Sequence, residues 1–139
     1  MKLSVKSEYA ARAVLSLARH YPRSVALSMD QVAEEQRLPR KYLPQILLEL
    51  KTKGIVRSVR GTAGGYLLAR APAEITLGDV LHAVDGPLFD APGLSSPLGP
   101  PELRRAWQKL RRSMEDAANA INFQQLLEEN AAKDKMYYI

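Results

Sequence analysis

The stretch Arg57 to Arg70, RSVRGTAGGYLLAR, sets three glycines between two short strand-like runs that carry arginines. Three roles compete for such a loop: a phosphate cradle for nucleotides, a hinge, or a contact with nucleic acid. A nucleotide phosphate loop reads G-x-x-x-x-G-K-[ST], because lysine and a hydroxyl must reach the β/γ-phosphates and magnesium. Here Gly65 is followed by Tyr66 and Leu67. A dinucleotide fingerprint needs a helix after its glycines, whereas this chain continues as an apolar strand. Elsewhere the chemistry is sparse. There is no cysteine, which removes disulfides, thiolate metal sites and thiol catalysis. His20 and His82 stand far apart with no partner at ligand spacing. We find no nucleophile with its base, no carboxylate dyad and no metal-ligand cluster, so no catalytic residue, metal or cofactor is expected and the chain is not read as an enzyme.

The elements around the loop come from periodicity and stop signals. From Ser7, the residues Tyr9, Ala13, Val14, Leu17 and Ala18 recur at helical spacing until Pro22. Ser28-Met29-Asp30-Gln31 has the form of a capping box and predicts a short helix over Met29 to Gln36. After Arg37-Leu38-Pro39 a third helix carries the apolar stripe Tyr42, Leu43, Ile46, Leu47 and Leu50 and stops at Gly54. Pro44 is tolerable only near a helix start, so regular helix is expected from about Leu43, with a distorted first turn. Ile55 to Arg60 and Tyr66 to Arg70 then read as a hairpin whose wide turn needs glycine. Helix, turn, helix, hairpin is the order of a winged helix-turn-helix, in which the second helix can enter a DNA major groove.

Charge supports a polyanion partner. The net charge of +5 is unevenly spread: residues 1–70 hold 13 Lys+Arg against 5 Asp+Glu, and residues 71–139 hold 7 against 10. With 139 residues, 46% of them hydrophobic, one soluble domain with an extra element or two is expected. Lys6, Glu8, Arg12 and Ser16 interrupt the opening segment, which therefore reads neither as a signal peptide nor as a membrane span; a cytoplasmic protein is the expectation.

The segments KYLPQIL, LKTKGIVRSVRGTAGGYLLAR and ITLGDVLHAVDGP resemble the corresponding segments of the Rrf2 family of bacterial winged-helix transcription regulators. The resemblance covers nearly the whole chain. It implies a homodimer that binds double-stranded DNA at a near-palindromic operator, most simply as a repressor, with the third helix in the major groove and the wing in the minor groove. The DNA-facing set is then Ser28, Arg40, Lys41 and Gln45 around the helices and Arg57, Arg60, Gly61, Thr62, Gly64 and Gly65 in the wing. Arg60 is the wing residue expected to reach DNA, with Arg57 the phosphate clamp; the amides at Gly61, Gly64 and Gly65 are expected to approach phosphate. Tyr42 is expected in the core. Many relatives carry Ser at position 39 and Glu at position 44, where this chain has proline, which leaves open a winged-helix protein-interaction module that does not bind DNA. Cluster-binding relatives place three cysteines in the segment matching Gly86 to Leu110, so an iron-sulfur cluster is not expected here. Glu8 matches a position where some of them supply a carboxylate.

The expected architecture is α+β: a winged helix-turn-helix domain over residues 1–85, a linker over 86–101, and a dimerisation helix with a C-terminal short helix and tail over 102–139. Thr76-Leu77-Gly78-Asp79 caps the last helix of the first part. The linker is read from five of the nine prolines and three of the eight glycines between Gly86 and Pro101. Beyond it Leu103, Trp107, Leu110, Met114, Ala117 and Ile121 form a heptad seam fit for pairing with a second copy. Asn122-Phe123-Gln124-Gln125 opens the last helix. The ending Tyr137-Tyr138-Ile139 resembles that of the family's cysteine-free branch of cysteine-metabolism repressors, CymR in type. That resemblance implies cysteine synthase as a partner and control of sulfur metabolism.

Overall fold

The computed structural model describes the backbone of residues 2–138 and the side-chain surroundings of residues 2–133. Helix α1 (Val5–His20) starts where the Ser4 hydroxyl accepts the amide of Ser7. Its small buried residues Ala10, Ala13 and Ala18 let neighbouring elements approach closely, and α2, α3, α4, α6 and the hairpin all pack on it. A 3-10 turn over Tyr21–Arg23, with Pro22 in it, ends the run.

Helix α2 (Met29–Gln36) has the bounds the capping box predicts. Both arms of the box form: Ser28 N donates to Gln31 Oε1 at 2.8 Å and Gln31 N to Ser28 Oγ at 3.1 Å. It ends with Arg37 at a left-handed φ of 54°, a conformation in which a residue other than glycine is uncommon. A 3-10 turn over Arg40–Tyr42 leads into α3 (Leu43–Thr52). The predicted distortion is therefore real and has a clear cause. Pro44 occupies the first turn of α3, where its missing N–H is one that no helical carbonyl would accept.

Strands β1 (Val56–Val59) and β2 (Gly65–Leu68) pair antiparallel, with Val56 opposite Leu68 and Val59 opposite Gly65. Leu27 adds a one-residue bridge to the outer edge of β2, through Leu27 N to Tyr66 O at 3.0 Å and Tyr66 N to Leu27 O at 2.7 Å. That bridge ties the entry to α2 directly to the wing, and no periodic signal in the sequence announces it.

Helix α4 (Leu77–Asp85) carries the expected Thr76/Asp79 box. The proline-rich stretch after it is a loop containing a 3-10 turn over Pro92–Leu94. It lies folded on α5 (Pro101–Asn119) rather than free: Leu94 is buried, and Arg104 Nη2 donates to Ser96 O at 2.6 Å and Gly99 O at 3.1 Å. Helix α6 (Phe123–Tyr138) opens on a reciprocal Asn122/Gln125 pair, each hydrogen bond 2.9 Å long. Its start is fastened to the start of α4 by Leu77 N to Ile121 O at 2.7 Å and Phe123 N to Ile75 O at 3.1 Å. Phe123, 1% exposed, enters the same hydrophobic core as Leu17, Leu43, Leu47, Leu50 and Val80.

Candidate nucleic-acid interface

The inner face of α3 is Leu43, Ile46, Leu47 and Leu50, all buried at 1% exposure or less. With 3.6 residues per turn, the opposite face presents Gln45, Leu48 and Thr52, with Lys41 just before the helix. Leu48 is 57% exposed, although every neighbouring leucine of the helix is buried. An apolar side chain on an otherwise polar outer face suits the methyl group of thymine. The run ILLEL masked it, because a leucine on the wrong side of an apolar helix looks like one more core residue.

Each expected reader on this face is held by a neighbour. Gln45 Nε2 donates to Glu49 Oε1 at 3.1 Å, and Lys6 Nζ of α1 lies 2.8 Å from the same oxygen. Burial alone would raise the Glu49 pKa, but the hydrogen bonds from Lys6 and Gln45 and the Lys6 charge outweigh it and hold the group below the usual carboxylate range. An ionised Glu49 thus orients the Gln45 amide. Arg40 Nε pairs with Asp30 Oδ1 at 2.7 Å, with Asp30 82% exposed. An exposed pair of this kind contributes little, so exchanging Asp30 for a DNA group costs little. Lys41 is exposed with Nζ 5.2 Å from the centre of the Tyr42 ring. Tyr42 departs from its expected core position: it is 44% exposed and meets the Tyr9 ring at 5.5 Å between centroids. The 3-10 turn is the reason, since it shifts Tyr42 out of phase with the α-helical stripe that follows.

In the wing Arg57, Arg60, Gly61 and Thr62 are exposed. Lys51 Nζ donates to Ser58 Oγ at 2.9 Å, which fastens the end of α3 to β1. The wing tip faces the start of α2 across a groove of about 600 Å³ lined by Ser24, Ser28, Gln31, Thr62 and Gly64. Ser28 is therefore placed beside the tip, while its hydroxyl already caps α2.

The glycines act differently from expectation. Gly61 has φ +107° with open space where a side chain would go. The Gly64 amide is spent on Gly61 O at 3.0 Å, and a Cβ there would run into the carbonyl of Val59. Gly65 has φ +149° and a Cβ there would collide with the backbone of Leu27. The close approach that Gly64 and Gly65 permit is thus to this chain's own backbone, while the space beside Gly61 is open.

The histidines acquire partners that their spacing hides. His20 Nε2 lies 3.0 Å from Glu35 Oε2, and His82 Nε2 lies 2.5 Å from Glu115 Oε2 of α5. Arg19 Nη1 also lies 3.7 Å from Glu35 Oε1, and the described residues hold no group of three metal-ligating side chains. Glu8 lies exposed on the first turn of α1, where a carboxylate complements the helix dipole.

Helix α5 buries no residue in the single chain. Of the expected seam, Leu103 and Leu110 on α5 are 45% and 44% exposed and Ala117 is exposed as well, whereas Ile121, 38% exposed, lies two residues beyond the end of the helix at Asn119 and so leaves the heptad register. Trp107 and Met114 are half-buried. Trp107 meets Phe89 at 6.0 Å between ring centroids and packs against Gly93, where a Cβ would lie 2.8 Å from its ring. Tyr137 and Tyr138 end the backbone of α6 and their side chains lie outside the described residues, as does Ile139.

A helix-turn-helix with an exposed outer face, a wing fastened to it and a long uncovered helix define a winged helix-turn-helix protein. The chain belongs to the Rrf2 family, whose model, described as an iron-dependent transcriptional regulator, matches residues 3–129. An HTH-type transcriptional regulator of Mycobacterium tuberculosis is 42% identical over 119 residues, spanning 82% of this chain and 73% of that protein. The structure of CymR, the global cysteine regulator of Bacillus subtilis, superposes with a TM-score of 0.81 at 26% identity over 93% of this chain and 98% of that one. T. potens IscR superposes with a TM-score of 0.78 at 32% identity over 94% and 88%. The iron in the family's description finds no cysteine thiolate in this chain and, among the described residues, no group of three other ligating side chains. The loop of residues 86–100 is packed on α5 through Leu94 and Gly93. Among the described residues no helix is long and apolar enough to cross a membrane.

Proposed function

We propose that this protein is a sequence-specific DNA-binding repressor that works as a homodimer. The observation that carries the reading is α3: four buried residues on one face, and an exposed face that presents Gln45, Leu48 and Thr52 beside a fastened wing. In this reading Gln45 reads a base edge as a bidentate donor and acceptor, and Leu48 contacts a thymine methyl. Lys41 and Arg40 grip the flanking backbone once Arg40 leaves Asp30. Arg60 leans into the minor groove, Arg57 and Thr62 bind phosphate, the Gly61 amide approaches phosphate at the wing tip, and Ser28, whose amide and hydroxyl cap α2, lines the groove between wing and α2 that the DNA backbone enters. Gly64 and Gly65 shape the wing without touching DNA.

Dimerisation runs through Leu103, Leu110, Ala117 and Ile121, with Trp107 and Met114 at the border between seam and body. Two recognition helices would then lie about 34 Å apart, which calls for a near-palindrome with half-sites one DNA turn apart. Sequencing of genomic fragments retained by the protein tests this reading and names the regulon. Palindromic enrichment is the expected result, and retention without a shared motif would count against it. The protein-interaction reading separates by salt: affinity for mixed-sequence duplex should fall with a log-log slope of about −0.9 for each phosphate contact, and a flat response would favour that alternative.

CymR is named the global cysteine regulator in B. subtilis, and its structural likeness supports a cysteine-linked regulon here. The partner we assign to the Tyr137-Tyr138-Ile139 ending is cysteine synthase, since a C-terminal carboxylate on an apolar residue can occupy a site made for an amino-acid carboxylate. Deleting Ile139 should abolish association with that enzyme in calorimetry. Unchanged association would remove the assignment.

A further inference from the structure

A cleft of about 470 Å³ opens on the side of the molecule where the base of the wing meets α4 and the end of α5. It is made by residues from four elements: Lys53 after α3, Arg70 after β2, Asp79 and His82 on α4, and Asn119 at the end of α5, over a floor of Ile55. The back wall is tightly closed, because a Cβ at Gly78 would strike the Asn119 side chain.

Its charges are unevenly committed. Asp79 Oδ2 accepts the Thr76 amide at 3.0 Å as part of the α4 cap. Arg70 Nη1 donates to Glu74 O at 3.2 Å, while Nη2 stands 3.9 Å from Asp79, beyond hydrogen-bond reach. Lys53 Nζ has no ion pair and no hydrogen bond among the described residues, and Asn119 Nδ2 donates to none of them. His82 is engaged by Glu115. Two cations therefore face one carboxylate, an excess matched by a single negative charge, and the half-buried Ala83 adds an apolar patch beside the buried Ile55.

We propose that this cleft is an effector site for a small aliphatic carboxylate. The carboxylate is held by Lys53 Nζ and the free edge of Arg70, with Asn119 Nδ2 as a further donor, and the short alkyl part lies against Ala83. Charge-assisted hydrogen bonds of this kind are about twice as strong as neutral ones. The site joins the wing to the helix that carries the exposed seam, so occupancy changes the angle between wing and dimer axis and with it the affinity for DNA. This last step rests on the DNA-binding reading above.

The test titrates the full-length protein with butyrate at constant ionic strength, observed by amide chemical shifts, with inorganic phosphate as a second arm. Saturating shifts confined to the residues around Lys53, Arg70, Asp79 to Ala83 and Asn119 are expected with butyrate. Lys53→Met, at an exposed position, should weaken binding at least about tenfold. Arg70→Lys, which keeps the charge, should weaken it less than Arg70→Met. Shifts that never saturate, or that survive both Lys53→Met and Arg70→Met, overturn the site. Saturation by phosphate alone overturns the carboxylate assignment. Coupling is read by anisotropy on a mixed-sequence duplex: saturating butyrate should change affinity severalfold, and an unchanged affinity overturns the effector role. Affinity measured without butyrate reports on DNA binding independently, so failure of one reading is not mistaken for failure of the other.

Discussion

Arg60 and Gly65 belong to one wing and do unrelated work. Arg60 is exposed, so its removal touches only the ligand: Arg60→Ala should weaken duplex binding and reduce the log-log salt slope by about one if it neutralises one phosphate, with the melting temperature unchanged. Gly65 faces inward, with φ +149° and the Leu27 backbone where a side chain would go. Gly65→Ala should therefore destabilise the fold by more than about 1 kcal/mol in chemical denaturation. Gly61→Ala, strained but unobstructed, should cost less. A larger loss at Gly61 would reverse this assignment. In the sequence the three glycines look alike, because a glycine needed for a turn and one needed for a close approach carry the same letter.

Among the elements, α1 and α4 are fastened end to end by one carboxylate. Asp85 accepts Ser4 Oγ at 2.5 Å and a short hydrogen bond from Ser7 Oγ. Burial would raise its pKa, but the two hydroxyls and the Lys6 charge prevail and hold it below the usual carboxylate range. A folded value below the unfolded one means that the stabilisation is present above the ordinary aspartate pKa and is lost as the pH falls through the folded value. Asp85→Asn should accordingly flatten the acid limb of the stability profile and leave the slope near neutrality unchanged, measured by urea midpoints against pH. Helix α5 makes the complementary point. Leu110→Glu places a charge on an exposed residue of the proposed dimer seam, so it should leave the protomer folded and, if that seam pairs two copies, halve the mass seen in sedimentation.

Taken whole, the described residues share a core that runs from Ala10 of α1 to Phe123 of α6. Phe123 follows the long α5, yet lies 1% exposed among residues of α1, α3 and α4. Phe123→Ala should cost about 3 to 5 kcal/mol, a loss comparable to that of a central leucine and visible in thermal unfolding. A cost near zero would mean that α6 hangs on the body without supporting it. The return of α6 to α1 is the feature that the linear pattern left unannounced. A proline-rich loop and an amphipathic helix separate Phe123 from its partners, and nothing in local periodicity records which surface a later helix will cover.

What the residues determine by themselves is local. The Ser28/Gln31 and Thr76/Asp79 boxes place α2 and α4, Pro44 sets the boundary between 3-10 turn and α3, and the glycines mark the wing, because caps, prolines and turns act over a few residues. The absence of cysteine is likewise read without any structure, and it leaves no thiolate for a cluster of the family's kind. Tertiary structure decided the rest: that Leu48 faces outward and Tyr42 reaches the surface, that Gly64 and Gly65 serve the fold, and that His82 meets Glu115. It also brought Lys53, Arg70 and Asn119 to one cleft. These are distances between residues far apart in the chain, and they follow from how helices pack on α1, which local pattern cannot encode.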